Sequence, residues 1–268
     1  TLATNAIVED KLQSAAIFLL GYPVDAVQKA QKEQTFGTDT IISIRGGHDV
    51  WGVQKDPLDE GALEEALLGL PAKIKAVAVS GYFSVRNPAH EDRALQIIEE
   101  LRPKLYVTCG HELAMDLDAI KRATTCGLNA GLIPIVMDLL DSVGEICSKK
   151  GLADVPLSIV RGDGSLVSAS WAKLHPVEMI LSGPAASACG AYFLAGAPKD
   201  GHASWAVDIG GTTTDIICLD QDGRPALTDQ GATVAGHKTL IRAIDINTFG
   251  LGGDSRVRFG RDQELLLG

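Results

Sequence analysis

Val207-Asp208-Ile209-Gly210-Gly211-Thr212-Thr213-Thr214-Asp215-Ile216-Ile217 decides how the rest of the chain is read. The apolar run Trp205–Ile209 enters a Gly-Gly-Thr-Thr corner, and a second apolar run, Ile216–Leu219, leaves it. That pattern predicts strand, tight turn, strand. Two adjacent glycines allow positive φ and close approach of the backbone to a ligand. Successive N–H groups in such a turn form an anion-binding concavity, and Thr212 and Thr213 add hydroxyl donors. Asp208 stands just before the turn and Asp215 just after it. Carboxylates beside a phosphate cradle repel the phosphate unless a hard cation lies between, and Mg²⁺ takes one or two carboxylates together with phosphate oxygens. The residues therefore point to a hairpin that holds the phosphates of a Mg²⁺–nucleotide. The plainer alternative is an ordinary β-hairpin with a Gly-Gly turn. The stretch is neither a Walker A loop, since no Gly-Lys-Ser/Thr follows, nor a G-x-G-x-x-G fingerprint, since it leads into a strand.

The D-x-G-G-T-x-T-D pattern of Asp208–Asp215 resembles the second phosphate hairpin of the actin, sugar-kinase and heat-shock ATPase superfamily. Within it the chain resembles the hydantoinase A/5-oxoprolinase family. The implied fold class is α/β: an actin-like ATPase (ribonuclease H-like) fold, mixed sheets flanked by helices, truncated at both ends. Residues 1–200 are expected to form the first lobe, without its N-terminal phosphate hairpin. Within that lobe the family's N-terminal-type region extends to about 122, and the hydantoinase A-type region follows from about 123. Residues 201–268 are expected to open the second, nucleotide-binding lobe.

Composition restricts the partners. The 268 residues are 46% hydrophobic and 22% charged, as in ordinary water-soluble globular chains. Against 34 Asp+Glu stand 24 Lys+Arg, a net charge of −10. With no basic surplus to neutralise phosphates, neither nucleic acid nor an anionic membrane is an expected partner. The five cysteines, Cys109, Cys126, Cys147, Cys189 and Cys218, form no C-x-x-C and sit in apolar settings. They read as buried, reduced thiols of a cytoplasmic protein. The longest apolar runs, such as Ala15–Leu20, are strand-sized, so no membrane span is expected.

Along the chain, strands alternate with helices in the first half, predicting a sheet with crossover helices. Strands are expected at Ser14–Leu20, Thr40–Ile44, Ile74–Val79 and Leu105–Thr108. Helices are expected at Pro23–Lys32, Pro57–Leu68 and Pro88–Leu101, the last capped by Asn87. Thr1–Ile7 reads as a helix start. Asp116–Lys150 is mostly helical, with Pro134 allowing a kink or a new start. Asp163-Gly164 marks a hairpin, and Ser182 can cap a helix beginning at Gly183-Pro184. Pro225–Leu227 reads as a return strand.

Further landmarks extend the resemblance from Thr1 to Ser255. Thr1–Ile7 is similar to the family's segment after its first phosphate hairpin. Asn87-Pro88-Ala89-His90-Glu91 resembles N-P-x-H-E, and His111-Glu112-Leu113 resembles S-H-E-L with Gly110 in place of Ser. Ser182–Ala191 resembles S-G-P-A-x-S-x-x-G-A. Asp245–Ser255 resembles D-x-x-T-x-G-x-G-G-G-S, with Asp254 in place of the third glycine. A carboxylate there would face the nucleotide or open the turn.

The resemblance implies ATP and Mg²⁺ as cofactors and an ATP-dependent hydrolase opening a cyclic amide or imide of the hydantoin or 5-oxoproline type, through phosphorylation of the carbonyl oxygen. Asp208 and Asp215 would be the catalytic, metal-orienting pair. Gly210, Gly211, Thr212 and Thr213 would hold phosphate, and Gly250, Gly252 and Gly253 would line the far side of the nucleotide. His90, Glu91, His111 and Glu112 would lie on the substrate side, although a His-Glu pair at a helix start can equally cap and hydrogen-bond. The implied partners are a small cyclic amide and a second hydantoinase-type subunit. Alternatives of other classes are a nucleotide-binding regulatory or reactivase-like module, a ketone carboxylase subunit and a small-molecule kinase of the same superfamily. With half of the expected phosphate clamp missing, the segment by itself is expected to be weakly active.

Overall fold

The computed structural model describes residues 2–32, 36–196, 202–260 and 265–267. They divide into two units, each built from discontinuous chain: residues 1–159, 167–180 and 230–241 in the first, and 160–166, 181–229 and 242–268 in the second.

The first unit is built on β1 (Ala15–Leu20), whose six residues are all buried. β2 (Thr40–Ile44), β3 (Ala76–Gly81) and β4 (Tyr106–Cys109) join it in the order β2-β1-β3-β4, with every pairing parallel. Such a sheet needs helices on both faces, and the alternation along β1 provides for them. Ala16, Phe18 and Leu20 pack with Val77 and Val79 against α3 (Glu60–Gly69) and α4 (Ala89–Leu101), through Leu63, Leu67, Ile97 and Ile98. Ala15, Ile17 and Leu19 face the other way, against α2 (Val24–Lys32) and α6 (Ala119–Lys149), through Val27, Ala123, Cys126 and Ala130.

Helix α6 covers this second face closely because its contact residues are small. At Gly127 an added Cβ would stand 2.0 Å from the Phe36 carbonyl oxygen. The helix runs on through Pro134, so no new helix starts there. Two other helix ends also differ from expectation. α3 begins at Glu60, where the Asp59 carboxylate accepts from Ala62 N–H, three residues after Pro57. α8 (Ser182–Ala195) has Ser182 as its first residue, preceded by Leu181 at φ 60°, so Ser182 is not its cap.

In the second unit β7 (Ser204–Ile209) and β8 (Thr214–Leu219) form the expected hairpin, and β11 (Ile246–Phe249) pairs antiparallel on the far side of β8. Ala185 and Ala188 of α8 lie directly on Ala206, Ile217 and Leu219, with Ile244 closing the cluster. Pro225–Leu227 is not a strand; it makes isolated bridges at Leu219–Pro225 and Leu227–Ile244. All five cysteines are free, but only Cys109 and Cys126 are buried; Cys147, Cys189 and Cys218 are partly exposed. Among the described residues no helix is long and apolar enough to cross a membrane.

Candidate functional site

The second unit joins the two glycine-rich stretches through the main chain. Gly210 N–H donates to Thr213 O at 2.9 Å and closes the hairpin. The loop after β11 then docks on it: Gly253 N–H donates to Gly210 O and Asp254 N–H to Gly211 O, both at 2.8 Å. The docked loop is itself closed by Ser255, whose N–H donates to Gly252 O at 3.0 Å while its hydroxyl accepts from Gly252 N–H at 2.9 Å.

The glycines are needed for closeness, not for positive φ. None of Gly210, Gly211 and Gly252 is left-handed. A Cβ on Gly252 would instead stand 2.4 Å from Gly211 O and 2.6 Å from Thr212 N. Asp254 does not open the turn. Its amide makes the docking bond, and its carboxylate Oδ2 stands 2.7 Å from where a Gly211 Cβ would be.

Two observations bear on whether the hairpin suits a phosphate with a cation. The amides of Gly211, Thr212 and Thr213 donate to no acceptor among the described residues, and all three residues are exposed. Oriented N–H groups of this kind suit an anion. Asp208 and Asp215 are direct partners in the β7–β8 ladder. Like charges placed opposite each other destabilise a ladder, and a divalent cation offsets that. Asp215 is oriented by its partner on the other side, Thr248, whose hydroxyl donates to Asp215 Oδ1 at 2.7 Å. Thr214 likewise donates to Leu251 O at 2.6 Å. Neither threonine belonged to the residues expected to form the site, and only the ladder register reveals their roles. Gly250 has no atom near enough to restrict a side chain.

The first unit gathers His90, Glu91 and His111 at the carboxyl ends of β3 and β4. Glu91 is fully buried. Its Oε1 accepts from Gly81 N–H at 2.6 Å, its Oε2 accepts from His111 N–H at 2.9 Å, and the same oxygen lies 2.6 Å from His111 Nδ1. That bond to Glu91 holds the His111 imidazole above its ordinary value, against the opposing effect of burial. His90 does something else: its Nδ1 accepts from Gly47 N–H at 3.1 Å, and its ring lies 4.2 Å from that of His48, tilted by 43°. Burial pushes both of these imidazoles down. Glu112 is exposed and, among the described residues, is not brought into the cluster by any hydrogen bond.

Glu91, Cys109 and His111 place three potential metal-ligand atoms within 4.8 Å of one another. Two ligands held at about 2.0–2.2 Å on one tetrahedral zinc would stand roughly 3.3 Å apart. The 2.6 Å between Glu91 and His111 is instead the distance of a shared proton. Burial also pushes the Cys109 thiol strongly up, which keeps it protonated.

The hydantoinase/oxoprolinase family model matches residues 122–268, and the model of that family's N-terminal region matches residues 1–102. The chain belongs to the hydantoinase/oxoprolinase family. Among family relatives it is 30% identical to the caprolactamase subunit alpha of Pseudomonas jessenii over 205 residues, 76% of this chain and 29% of that one. It is 28% identical to the acetophenone carboxylase gamma subunit of Aromatoleum aromaticum over 237 residues, 83% of this chain and 31% of that one. The chain thus spans about a third of these curated relatives. Two solved structures share its α/β fold over its whole length. One is an ATP-dependent caprolactamase from Pseudomonas jessenii, with a TM-score of 0.81, 22% identity and 40% of that chain covered. The other is a nucleotide-free acetone carboxylase, with a TM-score of 0.76, 19% identity and 41% of that chain covered.

Proposed function

We propose that this chain carries the nucleotide-binding part of an ATP-dependent enzyme that activates the carbonyl of a cyclic amide or imide, of the hydantoin or 5-oxoproline type. The observation that carries this is the docking of the Gly252-Gly253-Asp254 loop on the Gly210-Gly211 hairpin, with the turn amides left without acceptors among the described residues. Mg²⁺–ATP, when bound, supplies the phosphoryl group. The work of the chain is to hold and orient it. Gly211, Thr212 and Thr213 donate main-chain N–H groups to phosphate, and Thr212 and Thr213 add hydroxyls. Asp208 and Asp215 hold the cation, with Thr248 fixing the Asp215 carboxylate. Gly250, Gly252 and Gly253 line the nucleotide on the other side. The caprolactamase relative, an alpha subunit, supports both the cyclic-amide substrate and a second subunit as partner.

The acetophenone carboxylase relative favours a second reading, a subunit of a ketone carboxylase with the same nucleotide site. Calorimetry of Mg²⁺–ATP binding to the protein and to Asp208→Ala tests the shared part. Binding by the first and its loss in the second is expected, and equal binding by both would sink the site. Assaying ring-opened product against carboxylated ketone, with the complete protein and its partner, separates the two substrates.

A further inference from the structure

The carboxyl edge of the first unit's sheet carries chemistry that the nucleotide site does not use. In the order β2-β1-β3-β4 the chain moves from β1 outward to β2, then returns to the other side of β1 for β3. The strand order therefore reverses between β1 and β3. Open parallel sheets bind ligands in the crevice outside the carboxyl ends at such a reversal. The loop leaving β3 there carries Ser84, which is 3% exposed and whose hydroxyl has no hydrogen-bond partner among the described residues. Buried hydroxyls are nearly always paired, so an unpaired one at this edge points to a ligand.

Gly81 connects Ser84 to the carboxylate that holds His111. The Ser84 Cβ lies 3.1 Å from the Cβ position of Gly81, and Gly81 N–H is bound by Glu91, which also holds His111. With Nδ1 turned to Glu91, the ring presents Nε2 outward, 3.5 Å from the half-exposed Asp92 carboxylate. The other charged or titratable groups around the ring are Glu112 on its own helix, Cys109 at the end of β4 and Arg122 of α6, whose Cγ stands 3.3 Å from the Cβ position of Gly110. A carboxylate-held imidazole with one outward N–H is a fixed hydrogen-bond donor.

We propose that this edge is the amide subsite, where His111 donates from Nε2 to the carbonyl oxygen of a small planar cyclic amide. Glu91 is its positioning residue, and Ser84 supplies a second polar contact. This rests on the cyclic-amide reading above. The test is NMR of histidine-labelled protein, titrated with 2-pyrrolidinone and with hydantoin in the absence of nucleotide. A saturable shift of the His111 ring signals is expected with either probe. Glu91→Gln should weaken binding about tenfold and lower the titration midpoint of His111, while Ser84→Ala should weaken binding several-fold. Should Glu91→Gln fail to fold, calorimetry of the two probes on the parent and on His111→Gln gives the same reading through loss of binding. His111 signals indifferent to both probes, or a folded Glu91→Gln or His111→Gln that binds as the parent does, would overturn the proposal. Mg²⁺–ATP binding is measured separately. A protein that binds nucleotide while His111 stays silent sinks only this subsite. A responsive His111 without nucleotide binding sinks only the ATP reading.

Discussion

Asp208 and Asp215 stand directly opposite each other on the β7–β8 ladder, one pair before its last, Ile209–Thr214, at the Gly-Gly corner. Two carboxylates in that register repel each other when nothing lies between them. Asp208→Asn should therefore raise the melting temperature in metal-free buffer by roughly 1–3 °C. The same substitution should abolish the stabilisation that Mg²⁺–ATP gives the parent, which is about 2.7 kcal/mol at a ligand concentration a hundred times Kd. Thermal melts with and without Mg²⁺–ATP check both halves. A variant that melts lower in metal-free buffer would show that the pair is not in conflict.

Gly252 and Gly250 separate a packing role from a ligand role. A Cβ on Gly252 meets three backbone atoms of Gly211 and Thr212 at 2.4–2.6 Å, and backbone cannot step aside as a flexible side chain can. Gly252→Ala should push the two loops apart, cost about 1–3 kcal/mol and weaken Mg²⁺–ATP binding at least tenfold. Gly250→Ala meets nothing within 4 Å. It should leave the melting temperature unchanged and weaken nucleotide binding alone, because there the added methyl intrudes only on the ligand. Parallel melts and calorimetry on the two variants decide. Unchanged nucleotide binding in Gly250→Ala would remove that residue from the site.

How much of this could be read from sequence depended on how local the cause was. Ala15–Leu20 was legible as a buried strand, because six consecutive apolar residues bounded by Gly21 suit a strand covered on both faces. So was the hairpin, since its turn chemistry lies within four residues. The pairing of Thr248 with Asp215 was not legible, because no local signal sets the register between strands 33 residues apart. The corner glycines were expected to allow positive φ and close approach to a ligand, and Gly210 and Gly211 do not take positive φ. Positive φ is a local property, whereas the actual demand, backbone approaching backbone at Gly211 and Gly252, arises only in the folded unit. The helical reading of 116–150 was legible, but not that one helix would continue through Pro134, where the local penalty is outweighed by α6 burying a long face. His90 and Glu91, adjacent in the sequence motif, part company in space: one accepts from Gly47, the other holds His111.

The histidines should give stability a two-sided pH dependence. His111 is raised by its bond to Glu91, so the folded state binds that proton more tightly than the unfolded chain. Its contribution is complete below the ordinary imidazole value of about 6.5 and is lost as pH rises through the folded value. His48, His90 and His237 are lowered by burial, so their contribution is complete above about 6.5 and is lost as pH falls through their folded values. Glu91→Gln removes only the first effect. The stability gap between the parent and Glu91→Gln should be widest below about pH 6.5 and narrow as pH rises. Urea midpoints across that range measure it, and a gap that ignores pH would show that Glu91 acts on backbone amides alone.

Arg122 is completely buried, yet its hydrogen bonds among the described residues go to carbonyl oxygens and not to a carboxylate: Asp116 O at 2.8 Å, Gly81 O at 2.9 Å and Tyr82 O at 3.0 Å. A buried charge is costly unless such bonds satisfy it, so the guanidinium fork is what makes the arrangement tolerable. It also ties the start of the Gly81–Ser84 loop to α6. Arg122→Leu relieves the buried charge but leaves up to three acceptors unpaired, at about 1–3 kcal/mol each when buried. The loss should win, with a net destabilisation of about 2 kcal/mol or more. Arg122→Lys should fall between parent and Leu, because a point ammonium cannot span three carbonyls as a planar fork does. The urea midpoint should drop with the slope unchanged, since only stability and not exposed surface is altered. A midpoint equal to the parent's would mean that water replaces the guanidinium, and the loop would then owe its position to Glu91 and Gly81 instead.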